Sequence, residues 1–409
     1  MASELRLLFS TDASGTASVR LQPVGLDGPQ KPRAHTLDFA LDQDDDKDLK
    51  WYLEEYMDLP DHGSRVRAHG IEERIDAWGR RLFEAVFGSG SQQKLMEALL
   101  ATDGPRLLTV ATDDAAVLRL PWEMLTNSTS PLFRKVTLRR QLEDAREAQP
   151  VQVELPLRIL LVVSRPDDLG FIDPRMTTRG LLKALRPLGA DNVAVDFCRP
   201  PTLAQLTTML DDARADGKPY AIVHFDGHGT YDPLLHLGRL CFEQANATSG
   251  PVGTDPVTAT RLGDLLAAYH IPLVILEACR SGQLDVQALR GVAPRLLDAG
   301  VGSVIAMSHA VHVEAARVLL ERVYRELVKG RTIGQSLDLG RASLVAQPHR
   351  WIELGPGGRT VELHDWFLPQ LYQRGNDTPL VPEGGGTRAE GQGLTVPRPL
   401  NPWPLTRNP

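Results

Sequence analysis

The feature that most constrains the fold is a regular alternation of two kinds of segment between residues 158 and 346. Short runs of branched apolar residues predict strands at 158–163, 193–197, 221–225, 273–276 and 303–307. Apolar residues at helical spacing predict helices at 177–188, 203–215, 262–269, 293–299, 313–328 and 333–346. Strands and helices that alternate in this way form βαβ units. We therefore expect an α/β fold with a mostly parallel sheet and helices on both faces.

The residues before this alternation predict a smaller α+β region at 1–150. Strands are expected at 5–9, 17–21, 106–110 and 136–138. The first two of these strands read as a hairpin, and helices are expected after the acidic run 44–48 and at 71–87. The helices have strong apolar faces that need to be covered. We therefore expect region 1–150 to pack against the core predicted at 151–374.

Residues 375–409 differ from the rest of the chain in composition. They are rich in proline and glycine and include the run Gly384-Gly385-Gly386. This composition is typical of a linker or a tail. We expect it to lead into a further C-terminal domain, so that the chain is an N-terminal fragment.

The bulk charge and the cysteine content exclude several classes of protein. The formal net charge of −7 argues against a nucleic-acid partner. The three cysteines are far apart in sequence, which argues against a disulfide framework and structural zinc and favours a reducing compartment. No apolar stretch approaches the ~20 residues of a membrane span. We expect a cytoplasmic protein with no cofactor, since no Walker A pattern is present.

Two of the predicted strands lead directly into chemically active residues. His228 follows the strand predicted at 221–225, and Cys279 follows the strand predicted at 273–276. Neighbouring parallel strands present their carboxyl ends at the same edge of a sheet, which is where ligands bind in such folds. A His and a Cys brought together there can act as base and nucleophile. The two residues are 51 positions apart, and Glu277-Ala278-Cys279-Arg280 resembles the caspase signature in order and spacing.

This pair predicts the chemistry of a cysteine endopeptidase. An imidazole at His228 can accept the thiol proton of Cys279 and later protonate the leaving amine. The tetrahedral intermediate needs hydrogen-bond donors for its oxyanion. The N–H groups of Gly229 and Cys279 are the expected donors, because Gly229 has no side chain to block its amide. No third residue is assigned to orient His228.

Two carboxylates are expected beside this pair and predict the preferred substrate. Glu277 lies two positions before Cys279, and alternation along a strand puts residues i and i+2 on one face. Asp226 precedes His228 by the same interval. Carboxylates in a partly desolvated pocket prefer a cation, so we expect cleavage after Arg or Lys. The alternative is that Glu277 hydrogen-bonds to backbone amides or pairs with Arg280.

Other functions remain open at this point. His224, Asp226 and His228 alternate along the sequence and can approach one cation, as in a metal-dependent hydrolase. A non-catalytic scaffold that uses the fold only to bind partners is the other alternative. Cys198 and Cys241 lie in short apolar runs without a partner motif, so we expect them in the core.

The chain resembles CHAT-domain proteins, a caspase-like family. The motifs that carry the resemblance are Leu120-Pro-Trp-Glu-Met-Leu125, Asp226-Gly-His-Gly229, Glu277-Ala-Cys-Arg-Ser281, the helix around Glu314 with Tyr324-Arg-Glu-Leu, and Asp365-Trp-Phe-Leu-Pro. They extend over roughly residues 1–374. The resemblance implies a caspase-like sheet and cleavage of a protein substrate by His228 and Cys279. It also implies control by a partner or by an ATPase or repeat domain beyond residue 409, in bacterial defence or signalling.

Two comparisons within this wider group refine the expectation. The chain has Met307-Ser-His-Ala-Val311 where family members often have Leu-Trp-x-Val, so this side of the cleft differs in shape. At the place of Glu277, caspases carry Gln, whereas metacaspases carry Asp and cleave after basic residues. By this resemblance Glu277 indicates a preference for basic residues.

Overall fold

The computed structural model describes residues 2–26, 33–58, 60–88, 90–127, 130–143, 151–169, 174–232, 237–245, 251–277, 286–352 and 358–382. Its strands are β1 (Ser3–Thr11), β2 (Ala17–Val24), β3 (His35–Thr36), β4 (Arg106–Ala111), β5 (Thr137–Gln141), β6 (Leu157–Val163), β7 (Val193–Phe197), β8 (Ile222–Asp226), β9 (Gly229–Asp232), β10 (Leu237–Glu243), β11 (Thr254–Thr258), β12 (Leu273–Glu277), β13 (Ser303–Met307), β14 (His349–Ile352), β15 (Arg359–Glu362) and β16 (Pro369–Gln373). Its helices are α1 (Gln43–Glu54), α2 (His62–Phe87), α3 (Gly90–Ala101), α4 (Ala115–Arg119), α5 (Pro174–Leu185), α6 (Leu203–Ala215), α7 (Ala259–Ala268), α8 (Val286–Ala299), α9 (Val313–Val328) and α10 (Ile333–Ala346).

Eleven of the strands form one sheet, in the order β3-β2-β1-β4-β5-β16-β13-β12-β8-β6-β7. The group β7, β6, β8, β12 and β13 is parallel throughout, and so is the group β1, β4, β5 and β16. The two groups run in opposite directions and meet where β13 pairs antiparallel with β16. The expected α/β fold with a mostly parallel sheet is confirmed.

Helices cover both faces of the second half of this sheet. Adjacent residues of one strand point to opposite faces, so Leu160 and Leu161 of β6 belong to two different hydrophobic cores. The core around Leu161 includes residues of α5, α9 and α10, and the core around Leu160 includes residues of α6, α7 and α8. This burial on both faces explains why these strands read as continuous apolar runs in the sequence.

The regions predicted at 1–150 and 151–374 share this sheet. β5, from the first region, pairs directly with β16, from the second. Side chains strengthen the junction: Arg139 Nη1 donates to the Gly375 carbonyl at 2.5 Å, and Thr137 Oγ1 donates to Asp338 Oδ2 at 2.5 Å. The first region therefore extends the sheet at its edge, through hydrogen bonds as well as through covered apolar faces.

The end of the predicted core lies further along the chain than composition suggested. Residues 375–382 were expected to begin a linker, yet Leu380 and Val381 are buried. The Val153 N–H also donates to the Leu380 carbonyl at 2.8 Å, which ties this segment to the chain before β6. Leu380 and Val381 were not recognised as core residues, because the segment 375–409 as a whole is rich in proline and glycine. Residues 383–409 lie outside the described part of the chain.

A small antiparallel sheet of β11, β10 and β9 was not predicted from the sequence. It follows β8 directly, and β9 begins at Gly229, the residue after His228. Its strands are short and are interrupted by glycine and charged residues, which hides the period of two that predicts a strand. This small sheet is important for the site, because it holds the turn after β8.

Removing region 1–150 is expected to make the remaining chain aggregate. A chain that begins near Leu155 lacks β5, so β16 becomes an unpaired edge strand, and such edges pair with other chains. Size-exclusion chromatography with light scattering would compare the truncated chain with the full chain. A monomeric truncated chain that unfolds cooperatively would contradict this prediction.

Candidate active site

The predicted site lies at the carboxyl edge of β6, β8 and β12. β8 and β12 are adjacent and parallel, and their last residues, Asp226 and Glu277, are paired in register. The Gly227 N–H donates to the Glu277 carbonyl across 3.4 Å, so the turn after β8 is held against the end of β12. The two strands that precede His228 and Cys279 therefore end side by side, as expected from the parallel sheet.

Gly227 is favoured because the turn after β8 passes close to the end of β6 and to the Phe225 ring. A Cβ atom at this position would lie 2.8 Å from the Phe225 ring and 3.2 Å from the Ser164 carbonyl oxygen. Contacts of this length are shorter than side chains normally make, so a larger residue would push the turn away from β6. Gly227 therefore keeps the turn close to β6, and this fixes the position of the main chain that leads into His228.

His228 is buried, with 3% of its surface exposed. Its carbonyl accepts the Cys241 N–H at 3.0 Å, which ties it to β10. Gly229 is paired in register with Leu240 of β10. The bond from Cys241 to His228 flanks this pair, which is the pattern of a non-hydrogen-bonded pair in an antiparallel ladder. The Gly229 N–H therefore points away from β10.

Cys279 and Arg280 lie outside the described residues. The roles predicted for them, nucleophile and oxyanion donor for Cys279 and ion-pair partner of Glu277 for Arg280, stay predictions. The end of β12 at Glu277 is the last described point before them.

Glu277 belongs to a chain of buried polar groups beneath α9. Its Oε2 lies 3.1 Å from His224 Nε2, and His224 Nδ1 lies 2.9 Å from the Tyr324 hydroxyl. Burial raises the pKa of Tyr324 well above its ordinary value, so the hydroxyl keeps its proton and can donate to Nδ1. Nε2–H then donates to Glu277. This arrangement satisfies both nitrogens of a histidine that has no solvent exposure.

Burial also raises the pKa of the Glu277 carboxyl. The hydrogen bond from His224 opposes this rise, whereas the negative charge of Asp226 adds to it. The carboxylate predicted for the substrate pocket thus has His224 as a partner, which the sequence argument did not anticipate. Its role in substrate preference stays a prediction.

Asp226 forms an ion pair with Arg165, the second residue after β6. Arg165 Nη2 donates to Asp226 Oδ1 at 2.6 Å, and Nη1 donates to the Asp226 carbonyl at 2.7 Å. Both side chains are largely buried, with 10% and 2% exposed for Arg165 and Asp226. Charge-assisted bonds of this kind are about twice as strong as neutral ones.

The metal-dependent alternative does not find support in the geometry. His224 uses its two nitrogens for Tyr324 and Glu277, and Asp226 is paired with Arg165. Within the described residues, no group of three His, Cys, Asp or Glu side chains is arranged to hold a metal ion.

Cys198 and Cys241 are both buried free thiols, as the sequence argument expected. Burial raises the pKa of the Cys198 thiol to about 12 and raises that of Cys241 as well. Only the thiolate is a nucleophile, so neither thiol is reactive near neutral pH.

Two residues of the site were not predicted from the sequence. They are Arg165, the partner of Asp226, and Tyr324, the hydrogen-bond partner of His224. Arg165 is the second residue after the apolar strand β6, and a charged residue at a strand's carboxyl end is a usable signal. Tyr324 was noted only as part of a motif on α9. Its contact with His224 crosses 100 positions of sequence, and no local pattern indicates it.

The described residues thus define an α/β protein with a buried histidine and paired carboxylates at the carboxyl edge of its parallel strands. A model of the CHAT domain matches residues 76–369. The chain therefore belongs to the CHAT domain family, which confirms the resemblance inferred from its motifs. The match begins inside the region predicted at 1–150. A search of curated proteins found no match.

Several solved structures of cysteine proteases are similar to this chain at low identity. Gingipain R of Porphyromonas gingivalis, an Arg-specific cysteine proteinase, is 12% identical, with a TM-score of 0.40 over 78% of this chain and 76% of that chain. Separase from the Saccharomyces cerevisiae separase–securin complex is 10% identical, with a TM-score of 0.47 over 91% of this chain and 30% of that chain. Caspase-1 from Spodoptera frugiperda is 12% identical, with a TM-score of 0.32 over 58% of this chain and 98% of that chain.

None of the helices in the described part of the chain combines the length and the apolar character that a membrane span requires.

Replacing Tyr324 with Phe is expected to destabilise the fold. The change removes the donor to His224 Nδ1 and leaves a buried polar atom without its partner, which costs roughly 1–3 kcal/mol of unfolding free energy. Tyr269→Phe is the matched control, because it removes an exposed hydrogen bond to Asp211 and should change stability little. Denaturant titration measures both. Equal effects for the two variants would contradict a structural role for the buried chain.

Proposed function

We propose that this chain is a cysteine endopeptidase in which Cys279 attacks the peptide carbonyl and His228 transfers protons. The observation that carries the proposal is the side-by-side ending of β8 and β12, joined by the bond from Gly227 to Glu277. His228 is the second residue after β8, and Cys279 is the second residue after β12. Membership of the CHAT domain family supports the same assignment.

The proposed reaction begins when His228 takes the proton of the Cys279 thiol. The thiolate sulfur attacks the carbonyl carbon, and the carbonyl oxygen becomes an oxyanion. The imidazolium of His228 then protonates the leaving amine as the carbon–nitrogen bond breaks, which leaves a thioester on Cys279. Water, deprotonated by His228, hydrolyses the thioester and restores the thiol.

Gly229 is the proposed donor to the oxyanion, together with the N–H of Cys279. The register of Gly229 with Leu240 directs the Gly229 N–H away from β10, which supports this role. Losing one such donor costs about 3 kcal/mol of transition-state stabilisation.

The proposed cleavage follows Arg or Lys in a protein substrate. Asp226 and Glu277 are two carboxylates, and the guanidinium of Arg165 balances one of them. Burial raises the pKa of Glu277, so its ionised form is the one that leaves a negative charge near the end of β12, and that form favours a cation over an acid at the adjacent substrate position. Because both carboxylates already have partners, we expect a moderate preference, about tenfold or 1.4 kcal/mol.

We also propose that a partner protein or a further domain, such as an ATPase or repeat domain, controls activity. The 3% exposure of His228 supports this, because a base that acts on a peptide bond must become accessible to it. The buried free thiols Cys198 and Cys241 fit a reducing compartment, and we propose a cytoplasmic reaction.

Cys279→Ala and His228→Ala are each expected to lower proteolysis at least about a thousandfold, because either change removes the nucleophile–base pair. The test labels new protein N-termini in a lysate incubated with each variant and with the wild-type chain. Cys198→Ala is the control, since its buried thiol takes no part, and it should match wild type. If the wild-type chain and Cys279→Ala produced the same set of new N-termini, the peptidase proposal would be wrong and a non-catalytic scaffold would be favoured.

The same labelling gives the residue before each cut, which is expected to be Arg or Lys. Glu277→Gln removes the excess negative charge and should reduce this preference. Glu321→Gln on α9, which removes a carboxylate paired with Arg317 and Arg325, should leave it unchanged. A majority of cuts after Asp would refute the proposed preference.

A further inference from the structure

We propose that Arg165 is a positioning residue that holds His228 in place for the proposed reaction, without contacting the substrate. The inference rests on the proposed function, because it concerns how the base of that reaction is oriented. Arg165 lies outside the sequence motifs that carry the family resemblance.

Arg165 donates hydrogen bonds to the main chain that leads into His228. One guanidinium nitrogen, Nη1, donates both to the Asp226 carbonyl at 2.7 Å and to the Ser164 carbonyl at 2.9 Å. The other, Nη2, donates to Asp226 Oδ1 at 2.6 Å. The fork of the guanidinium therefore fixes the backbone and the side chain of the residue two positions before His228.

Ser164 completes this attachment on the other side of His228. Its N–H donates to the Asp226 carbonyl at 3.0 Å, and its Oγ donates to the Cys241 carbonyl at 2.7 Å. The Cys241 N–H in turn donates to the His228 carbonyl at 3.0 Å. Hydrogen bonds from the end of β6 thus reach the chain both before and after His228.

Arg165 is itself held from a third direction. Its own N–H donates to Glu243 Oε1 at 3.2 Å, at the end of β10. The end of β6 is therefore joined to β8 and to β10, while Gly227 joins β8 to β12. The guanidinium bonds to the Ser164 carbonyl and to the carbonyl and carboxylate of Asp226, and the Arg165 side chain is only 10% exposed. A movement of Arg165 would release the turn that carries His228.

The test measures how His228 acts on Cys279 directly, by the pH dependence of Cys279 alkylation with iodoacetamide. Mass spectrometry of the full chain quantifies the modified Cys279, and the buried Cys198 and Cys241 serve as internal references. A correctly placed imidazole lowers the pH at which a thiol reacts. In the wild-type chain we therefore expect a reaction midpoint below the ordinary thiol value.

Arg165→Lys is the decisive variant. Lysine keeps a positive charge opposite Asp226, so the fold is retained, yet its single ammonium cannot hold the carboxylate and both carbonyls in the same geometry. We expect the alkylation midpoint to rise by about one pH unit and the rate at pH 6 to fall roughly tenfold. Arg165→Met should shift it at least as far. A wild-type profile for Arg165→Lys would overturn the proposal.

Arg158→Met is the matched control. Arg158 lies at the other end of β6, where its guanidinium also bridges a carboxylate, that of Asp196, and a main-chain carbonyl, that of Lys218. Its loss should leave the alkylation profile unchanged, and a shift as large as that of Arg165→Lys would refute a specific role for Arg165.

His228→Ala separates the two proposals: if this variant has the same alkylation profile as the wild-type chain, the proposed peptidase mechanism fails. If it shifts the profile while Arg165→Lys does not, only the positioning role fails.

Discussion

The antiparallel pairing of β13 with β16 is the contact on which the rest of the sheet depends. It joins two groups of parallel strands that run in opposite directions, and β16 also pairs with β5 on its other side. Buried arginines make contacts across this junction: Arg139 donates to the Gly375 carbonyl, and Arg341 Nη2 lies 3.7 Å from Glu123 Oε1. These contacts between buried groups need both halves of the sheet, and the loss of either half would expose or leave unsatisfied the groups that make them. The N-terminal region is thereby part of the same structural unit as the site.

The reversal at this junction also decides where the site lies. The carboxyl ends of β6, β8, β12 and β13 all fall on one edge, away from the carboxyl ends of β1, β4, β5 and β16. At the first of these edges two carboxyl groups have buried partners, Asp226 in Arg165 and Glu277 in His224. Such a network keeps strand ends in register, because moving one strand would leave a charge unpaired. The edge is consequently a rigid base for the histidine that follows β8.

Local patterns predicted the elements of the parallel half well. The strands at β6, β7, β8, β12 and β13 and the helices α6, α9 and α10 agree with the sequence argument closely, because burial on both faces gives long apolar runs and regular helical spacing. The helices α3 and α4 and the strands β3, β9 to β11 and β14 to β16 were missed. Some of these elements are short. In the others, the positions of the apolar residues depend on contacts with distant parts of the chain and do not follow a regular helical or strand spacing.

By itself the sequence determined the α/β class, the position of His228 at a strand's carboxyl end and its spacing to Cys279. These depend on apolar period and on order along the chain, both of which are local. Only the tertiary structure decided the partners of the charged groups. Arg165 pairs with Asp226, and His224, which also bonds to Tyr324, pairs with Glu277. Those contacts join residues 53 to 100 positions apart. Which side chains meet across such distances depends on strand order and register, and these exist only once the whole sheet has formed.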